Sequence, residues 1–302
     1  MEYKLKVYTI WEMGQRENQE DSIFPAHGEE SEGDRMFIVC DGMGGHEAGE
    51  VASKTVCEAM SNYVIKRYKD EGDFSEEDMK AAVNAAFDAL DDLEDGDEPK
   101  SKKMGTTLAC LKLHSNGYMI AHLGDSRVYH IRPDEDGKKA EIVFVTRDHS
   151  LVNDLITIGE LTPEEAEHSN QKNVITRAMQ PRMERRPQLD IYNSSDIKAG
   201  DYFYLCSDGM LENMNDNNIC YQFSGMMEGG PDRKVLNLVE STKDNQDNHS
   251  AIIVHILEVN NPSKKDEDEC VDSKIEEVST EPKEVDGNFM DVIIRYFKKR
   301  LK

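Results

Sequence analysis

Four aspartates each follow, or directly precede, a short hydrophobic run with the character of a β-strand. Asp41 lies in FIVCDGMGGH, Asp125 in HLGDSR and Asp208 in YLCSDGM, while Asp247 stands in DNHS just before AIIVHIL. A carboxylate at the end of a buried strand emerges at the rim of the core, where several strands can direct such groups at one point. A chain with this pattern can therefore fold so that its strand ends meet, and such a fold has to offset the repulsion between the carboxylates.

Divalent cations offset this repulsion most directly. Mg²⁺ and Mn²⁺ prefer oxygen ligands and retain several waters, so the pattern predicts a site for such ions at the strand ends. A single Asp-Gly pair after a strand is more often only a turn, but the four aspartates together with the pair Glu20-Asp21 favour a metal site. The glycines after Asp41 let the backbone approach a ligand closely, which makes the carbonyl of Gly42 a candidate ligand. The alternative is that these glycines form only a tight turn from strand to helix.

The remaining hydrophobic pattern predicts antiparallel strands and two long helices. Residues 4–9 alternate with the period of a half-buried strand, and turn residues such as Ser115-Asn116-Gly117 predict hairpins. Further strands are predicted at Met36–Cys40, Thr107–Leu113, Tyr118–His122, Arg127–Ile131, Glu141–Val145, Tyr202–Cys206 and Ala251–Glu258. Apolar spacing predicts helices over Ala48–Tyr68 and from Ser75 to about Leu93. This order favours an α+β fold over a doubly wound sheet.

The charge and the cysteines limit the class of function and the compartment. With 61 acidic and 36 basic groups the net charge is −25, which disfavours binding to nucleic acids and to anionic membranes. The six cysteines include no Cys-x-x-Cys pair and are predicted to be buried thiols in a reducing compartment. The N-terminus has no signal-peptide core, and no apolar run reaches the roughly 18 residues of a membrane span. These features predict a cytoplasmic protein.

The composition changes near Asn260. Residues 266–286 carry ten acidic and two basic groups, a composition typical of disorder. The sequence therefore predicts a folded domain over 1–259, an acidic disordered linker over 260–287 and a short basic amphipathic helix over 288–302. That helix has several open interpretations. It could pack back on the domain, be only a cationic helix end, dock on a partner or return to the domain as an intramolecular inhibitor. A membrane role is disfavoured because the body of the chain is acidic.

The motifs around the aspartates occur in the order found in one known family. They are Arg16-Glu-Asn-Gln-Glu20-Asp21, Asp41-Gly-Met-Gly-Gly-His, Met104-Gly-Thr-Thr-Leu, Gly124-Asp-Ser-Arg-Val, Thr146-Arg-Asp-His-Ser-Leu, Asn173-Val-Ile-Thr-Arg-Ala, Leu205-Cys-Ser-Asp-Gly-Met and Asp247-Asn-His-Ser. Over residues 3–258 the chain resembles the metal-dependent protein serine/threonine phosphatases of type 2C, in their bacterial form. The resemblance implies a β-sandwich of two antiparallel sheets flanked by helix pairs. It also implies a flap segment over Leu151–Gln180, in which we predict a short helix at Asn173–Met179.

The resemblance further implies hydrolysis of phosphoserine and phosphothreonine in phosphoproteins, opposite a cognate kinase. By similarity, two Mn²⁺ or Mg²⁺ ions would be held by Asp21, Asp41, the carbonyl of Gly42, Asp208 and Asp247, with Glu20 in support and Asp125 for a possible third ion. A water held between two such cations loses a proton near neutral pH and can attack phosphorus directly. Arg16 would grip the substrate phosphate with two parallel hydrogen bonds. The alternative for Arg16 is a surface salt bridge with Glu17 or Glu20.

One position departs from the animal branch of the family. Met43 stands where those members carry the histidine assigned as general acid. Because methionine cannot donate a proton, the donor is expected to be a metal-bound water or His46. Two other functions stay open, namely a phosphatase-like binding module without significant activity and a phosphatase that controls sigma-factor antagonists.

Overall fold

The computed structural model describes residues 1–44, 47–68, 72–93, 104–136, 138–226 and 230–260. These residues belong to one compact unit, Met1–Pro262. His46, the chain from residue 261 through the predicted linker, and the predicted C-terminal helix lie outside the described residues.

Two antiparallel sheets form the centre of the described chain. Their strands are β1 (Glu2–Glu12), β2 (Asp21–Phe24), β3 (Met36–Met43), β4 (Gly105–Thr106), β5 (Leu108–His114), β6 (Gly117–Leu123), β7 (Arg127–Pro133), β8 (Ala140–Val145), β9 (Asp190–Ser194), β10 (Tyr202–Cys206) and β11 (His249–Asn260). One sheet has the order β1-β11-β10-β7-β8, and the other has the order β2-β3-β5-β6-β9 with β4 paired to β3. The predicted hairpins β5–β6 and β7–β8 are present.

The described chain also contains six helices. They are α1 (Glu47–Arg67), α2 (Glu76–Asp92), α3 (Leu151–Thr157), α4 (Pro163–Glu167), α5 (Asp216–Phe223) and α6 (Pro231–Thr242), and a short 3-10 turn spans Asp208–Leu211. Helix α2 begins with a capping box in which Ser75 and Asp78 bond each other's backbone, as its sequence predicts. None of the described helices is long and apolar enough to cross a membrane.

The core has three apolar layers, and alternation along the strands assigns residues to them. In β3, Phe37 and Val39 face the other sheet, whereas Ile38 and Cys40 face the pair α1 and α2. A third cluster packs α5 and α6 on the first sheet around Tyr204. The layers therefore follow the order helices, sheet, sheet, helices, which confirms the predicted sandwich with its helix pairs.

The predicted short helix at Asn173–Met179 is wrong. This part of the flap forms no helix but takes part in two isolated bridges, one between Thr106 and Met179 and one between Ser150 and Ile175. The Thr106 amide donates to the Met179 carbonyl at 2.9 Å, and the Met179 amide donates back at 2.8 Å. These tertiary bonds occupy backbone groups that a helix would have bonded internally.

Candidate metal centre

The strand ends meet at one cleft, as the spacing of the aspartates predicts. Strands β2 and β3 pair so that Asp21 is opposite Asp41. Asp208 begins the 3-10 turn after β10, and Asp247 lies just before β11, the neighbour of β10 in the sheet. The cleft has a volume of about 600 Å³, and its walls include Arg16, Glu20, Asp41, Gly42, Asp125, Asp208 and Asp247. The fold thus gathers these predicted site residues around one space.

Asp21 does not line this cleft but lies behind it. Its side chain is 2% exposed, and the Ser207 hydroxyl donates to its Oδ2 at 2.8 Å. Burial raises the pKa of Asp21 to about 7, and the charges of Asp208 and Asp247 add to the rise. Asp21 therefore lies behind the cleft wall, opposite Asp41 in the β2–β3 pair, a position that the sequence did not indicate.

Burial and mutual repulsion disfavour the charged form of the cleft carboxylates when no cation balances their charge. Burial raises the pKa of Asp41 well above its usual range, with further contributions from Asp21 and Asp208. The pKa of Asp208 is raised as well, first by burial and then by Asp247. For Asp125, burial followed by the charge of Asp208 raises the pKa to about 7. A cation placed among these groups would stabilise their charged form and so offset the repulsion between them.

The unpaired oxygens also fit a cation. Within the described chain, Oδ1 of Asp21 and Oδ1 of Asp125 are buried and have no hydrogen-bond partner. No three His, Cys, Asp or Glu side chains of the described residues stand close enough to hold an ion unaided. The buried, unpaired carboxylate oxygens suit hard cations such as Mg²⁺ and Mn²⁺, which take oxygen ligands.

Close backbone packing fixes the strand end at Asp41 and Gly42. A Cβ at Gly42 would lie 2.2 Å from the Gly49 carbonyl oxygen and 2.5 Å from that of Glu20, so only glycine fits. The Asp41 amide donates to the Thr107 hydroxyl at 2.9 Å, and the Thr106 hydroxyl donates to the Asp41 carbonyl at 2.9 Å. We did not single out these threonines as site residues, although the motif Met104-Gly-Thr-Thr-Leu contains them.

Arg16 reaches the cleft from an exposed loop. Its Nη2 donates to Oδ2 of Asp247 at 2.6 Å, so its partner in the structure is a candidate metal ligand. The side-chain amide of Asn248 donates to the carbonyls of Met13 and Asn18, which ties the Arg16 loop to β11. Asn248 was missed as a positioning residue, and its place directly after Asp247 was the available signal.

The flap borders the same cleft. Asn173 and Ile175 line it, as does Met43. His149 accepts a hydrogen bond from the Gly124 amide at its Nδ1, at 3.1 Å. It therefore braces the turn that carries Asp125.

Sequence comparison places these features in a known family. Residues 14–229 match the family described as protein phosphatase 2C. The protein phosphatase PhpP of Streptococcus pneumoniae is 32% identical over 216 residues, which cover 71% of this chain and 82% of that protein. The serine/threonine protein phosphatase PstP of Mycobacterium tuberculosis is 36% identical over 204 residues, or 68% of this chain. The match spans about a third of that relative, 36% of its length.

Solved structures agree with the sequence comparison. The crystal structure of the M. tuberculosis serine/threonine phosphatase PstP/Ppp superimposes with a TM-score of 0.68 at 30% identity, covering 84% of this chain and 99% of that one. The catalytic domain of PstP in complex with two manganese ions gives a TM-score of 0.65 at 29% identity, with 84% and 99% covered. On the family match and these relatives, the chain belongs to the protein phosphatase 2C family.

Proposed function

We propose that the chain is a protein-serine/threonine phosphatase that uses manganese or magnesium to hydrolyse phosphoserine and phosphothreonine in phosphoproteins. The observation that carries this proposal is a cleft in which buried carboxylates with raised pKa values surround a space beside an exposed arginine. The related phosphatase structure that contains two manganese ions supports the choice of metal. A binding module without activity is disfavoured because every predicted carboxylate is present at or behind the cleft.

The residues around the cleft suggest how two ions would be held. Asp41, the Gly42 carbonyl, Asp208 and Asp247 are the proposed ligands, with Asp21 adding charge from behind the cleft wall and Glu20 in support. Asp125, together with Asp208, is the proposed holder of a third ion. When bound, such cations lower the pKa of a water and neutralise phosphate oxygens.

Arg16 is the proposed clamp on the substrate phosphate. Its side chain is 59% exposed, which leaves it room to turn from Asp247 toward a phosphate at the cleft. A guanidinium can donate two parallel hydrogen bonds to a phosphate, which an ammonium cannot. Because Met43 lines the cleft without a proton to give, we propose that a water of the cleft or His46 protonates the leaving oxygen. His46→Ala distinguishes the two donors, because the substitution removes proton donation by His46 and leaves donation by a water intact.

Hydrolysis of a phosphothreonine peptide tests the proposed function. We expect turnover with added Mn²⁺ or Mg²⁺, loss of turnover in excess chelator and recovery when metal is restored. Asp41→Asn and Asp208→Asn should each lower turnover by orders of magnitude while the far-ultraviolet spectrum stays native. Asp136→Asn is the matched control because its side chain is 77% exposed in a remote turn. Full turnover in excess chelator would overturn the proposal.

The setting of the enzyme is also proposed. The five cysteines of the described chain are free thiols, which fits a reducing cytoplasm. A phosphatase of this kind would act opposite a serine/threonine kinase.

We further propose that residues 288–302 dock on a partner. Truncation after Asn260 should leave aryl phosphate turnover and the melting temperature unchanged but remove a partner in a pull-down, and a fall of many degrees in melting temperature would contradict this.

A further inference from the structure

A second groove lies beside the Arg16–Glu20 segment. It has a volume of about 620 Å³, and its apolar walls include Trp11, Ile23 and Phe24. Residues 15–18 and Glu20 line the metal cleft, whereas Gln19 and Asp21 line the groove. A single stretch of backbone therefore separates the groove from the cleft. A peptide that crosses this stretch would occupy both.

Trp11 gives the groove a fixed aromatic surface. Trp11 is 44% exposed, although the burial of so large an apolar side chain is energetically favourable. The indole N–H donates to the Asp21 carbonyl at 3.0 Å, which holds the ring in place. The face of a tryptophan attracts a lysine or arginine side chain more strongly than any other aromatic residue does.

The groove also carries an excess of negative charge. Five carboxylates and one lysine line it, namely Asp21, Glu29, Asp34, Glu50, Glu58 and Lys54. The salt bridges of the described chain involve none of Glu29, Glu50 and Glu58. These three exposed carboxylates therefore present charge that a basic partner can meet.

Resting on the proposed phosphatase function, we propose that this groove selects phosphoproteins with a lysine or arginine near the phosphorylated residue. The aliphatic stem of that side chain would lie on Trp11, and its charge would meet Glu58 and Glu29. Because the Arg16–Glu20 segment borders both spaces, the selected basic residue would stand within about four positions of the phosphate, a span of about 14 Å in an extended peptide.

Trp11 allows the groove to be tested directly, because the chain contains 1 tryptophan and its fluorescence reports on this groove alone. Phosphothreonine peptides that differ only in arginine, alanine or glutamate at each of these positions are titrated into the full-length protein in chelator. The arginine peptide at the preferred position should change the fluorescence and bind about 5- to 20-fold more tightly than the alanine peptide. The glutamate peptide should bind more weakly still. Raising the salt to about 0.5 M should remove most of the difference, because exposed charges are then screened.

Variants and kinetics complete the test. Glu58→Gln and Glu29→Gln should each lower the arginine-to-alanine affinity ratio about two- to fourfold. Glu135→Gln, which removes an exposed charge in the turn between β7 and β8, should leave the ratio unchanged. With Mn²⁺ present, kcat/KM for the peptides should follow the same order.

Two outcomes separate this inference from the proposed function. Equal affinities for the arginine and alanine peptides, or titrations that leave Trp11 fluorescence unchanged, would overturn the groove inference even if the protein hydrolyses aryl phosphate. Selective binding of the arginine peptide without hydrolysis in Mn²⁺ would support the groove as a docking site and overturn the proposed catalytic activity.

Discussion

Asp125 tests the electrostatics of the cleft closely, because replacing it with asparagine removes a charge with little change in shape. The residue lies in the turn between β6 and β7, and its Oδ1 is buried without a hydrogen-bond partner in the described chain. Burial, then repulsion from Asp208 and Asp148, raises its pKa from 3.8 to about 7. In the metal-free protein this carboxylate therefore opposes folding at neutral pH.

The size of the effect follows from the shift. Below about pH 4 the Asp125 carboxyl is protonated in both the folded and the unfolded state, so its charge does not lower the free energy of unfolding. Stability falls as the pH rises toward the folded-state pKa of about 7. Because each pKa unit corresponds to about 1.4 kcal/mol, the loss in the free energy of unfolding reaches at most about 4 kcal/mol above that pH. In chelator at pH 8, Asp125→Asn should raise the free energy of unfolding by about 2 to 4 kcal/mol.

Thermal melts in excess chelator at pH 5 and pH 8 measure this gain in stability of the Asp125→Asn variant. The variant should melt about 5 to 10 °C higher than the native protein at pH 8, with a smaller difference at pH 5. Added Mn²⁺ should narrow or reverse the difference, because the native protein gains more from binding. Asp136→Asn, in an exposed turn, is the control. A variant that melts at or below the native temperature at pH 8, or that gains equally at both pH values, would refute the reasoning.

Three further substitutions probe other parts of the structure. Arg16→Ala should raise KM for a phosphothreonine peptide strongly and lower kcat less, and Arg16→Lys should not restore the native KM. An unchanged KM in steady-state kinetics would mean that Arg16 only forms its ion pair with Asp247 and does not bind phosphate. His130→Ala should lower the free energy of unfolding in urea by about 2 to 4 kcal/mol, because it removes a buried partner 2.8 Å from Asp201, and a stable variant would contradict this. Gly42→Ala places a Cβ 2.2 Å from a backbone carbonyl of α1, so calorimetry should show weakened Mn²⁺ binding, whereas Gly33→Ala, whose nearest neighbour is 3.5 Å away, should bind normally.

Sequence reasoning reached furthest where burial and sequence position coincide. The hydrophobic runs adjoining Asp41, Asp208 and Asp247 are all buried strands, so the strand-end argument alone predicted that these carboxylates meet. Helices α1 and α2 differ from their predicted bounds by only one or two residues, because their apolar spacing repeats over several turns.

Other features depend on contacts between distant residues and leave little local signal. Strand β9 reads as the polar stretch DIYNS, and it is a strand because Ile191 and its neighbours pair with β6. The non-helical form of Asn173–Met179 likewise depends on bridges to Thr106 and Ser150. The Arg16–Asp247 ion pair joins residues 231 positions apart, so the sequence offered only nearer glutamates as partners. Local patterns identify which groups reach the cleft, whereas the fold decides which of them touch.

The central claim is that the carboxylates at the strand ends form a centre for divalent cations, and Asp41 lies at the middle of it. Calorimetric titration of the metal-free protein with Mn²⁺ counts the ions bound. We predict at least two ions for the native chain, with protons released on binding at pH 7 because the pKa values of the carboxyls are raised. We also predict loss of both ions in Asp41→Asn. An Asp41→Asn protein that binds Mn²⁺ with the native number and affinity would contradict the account.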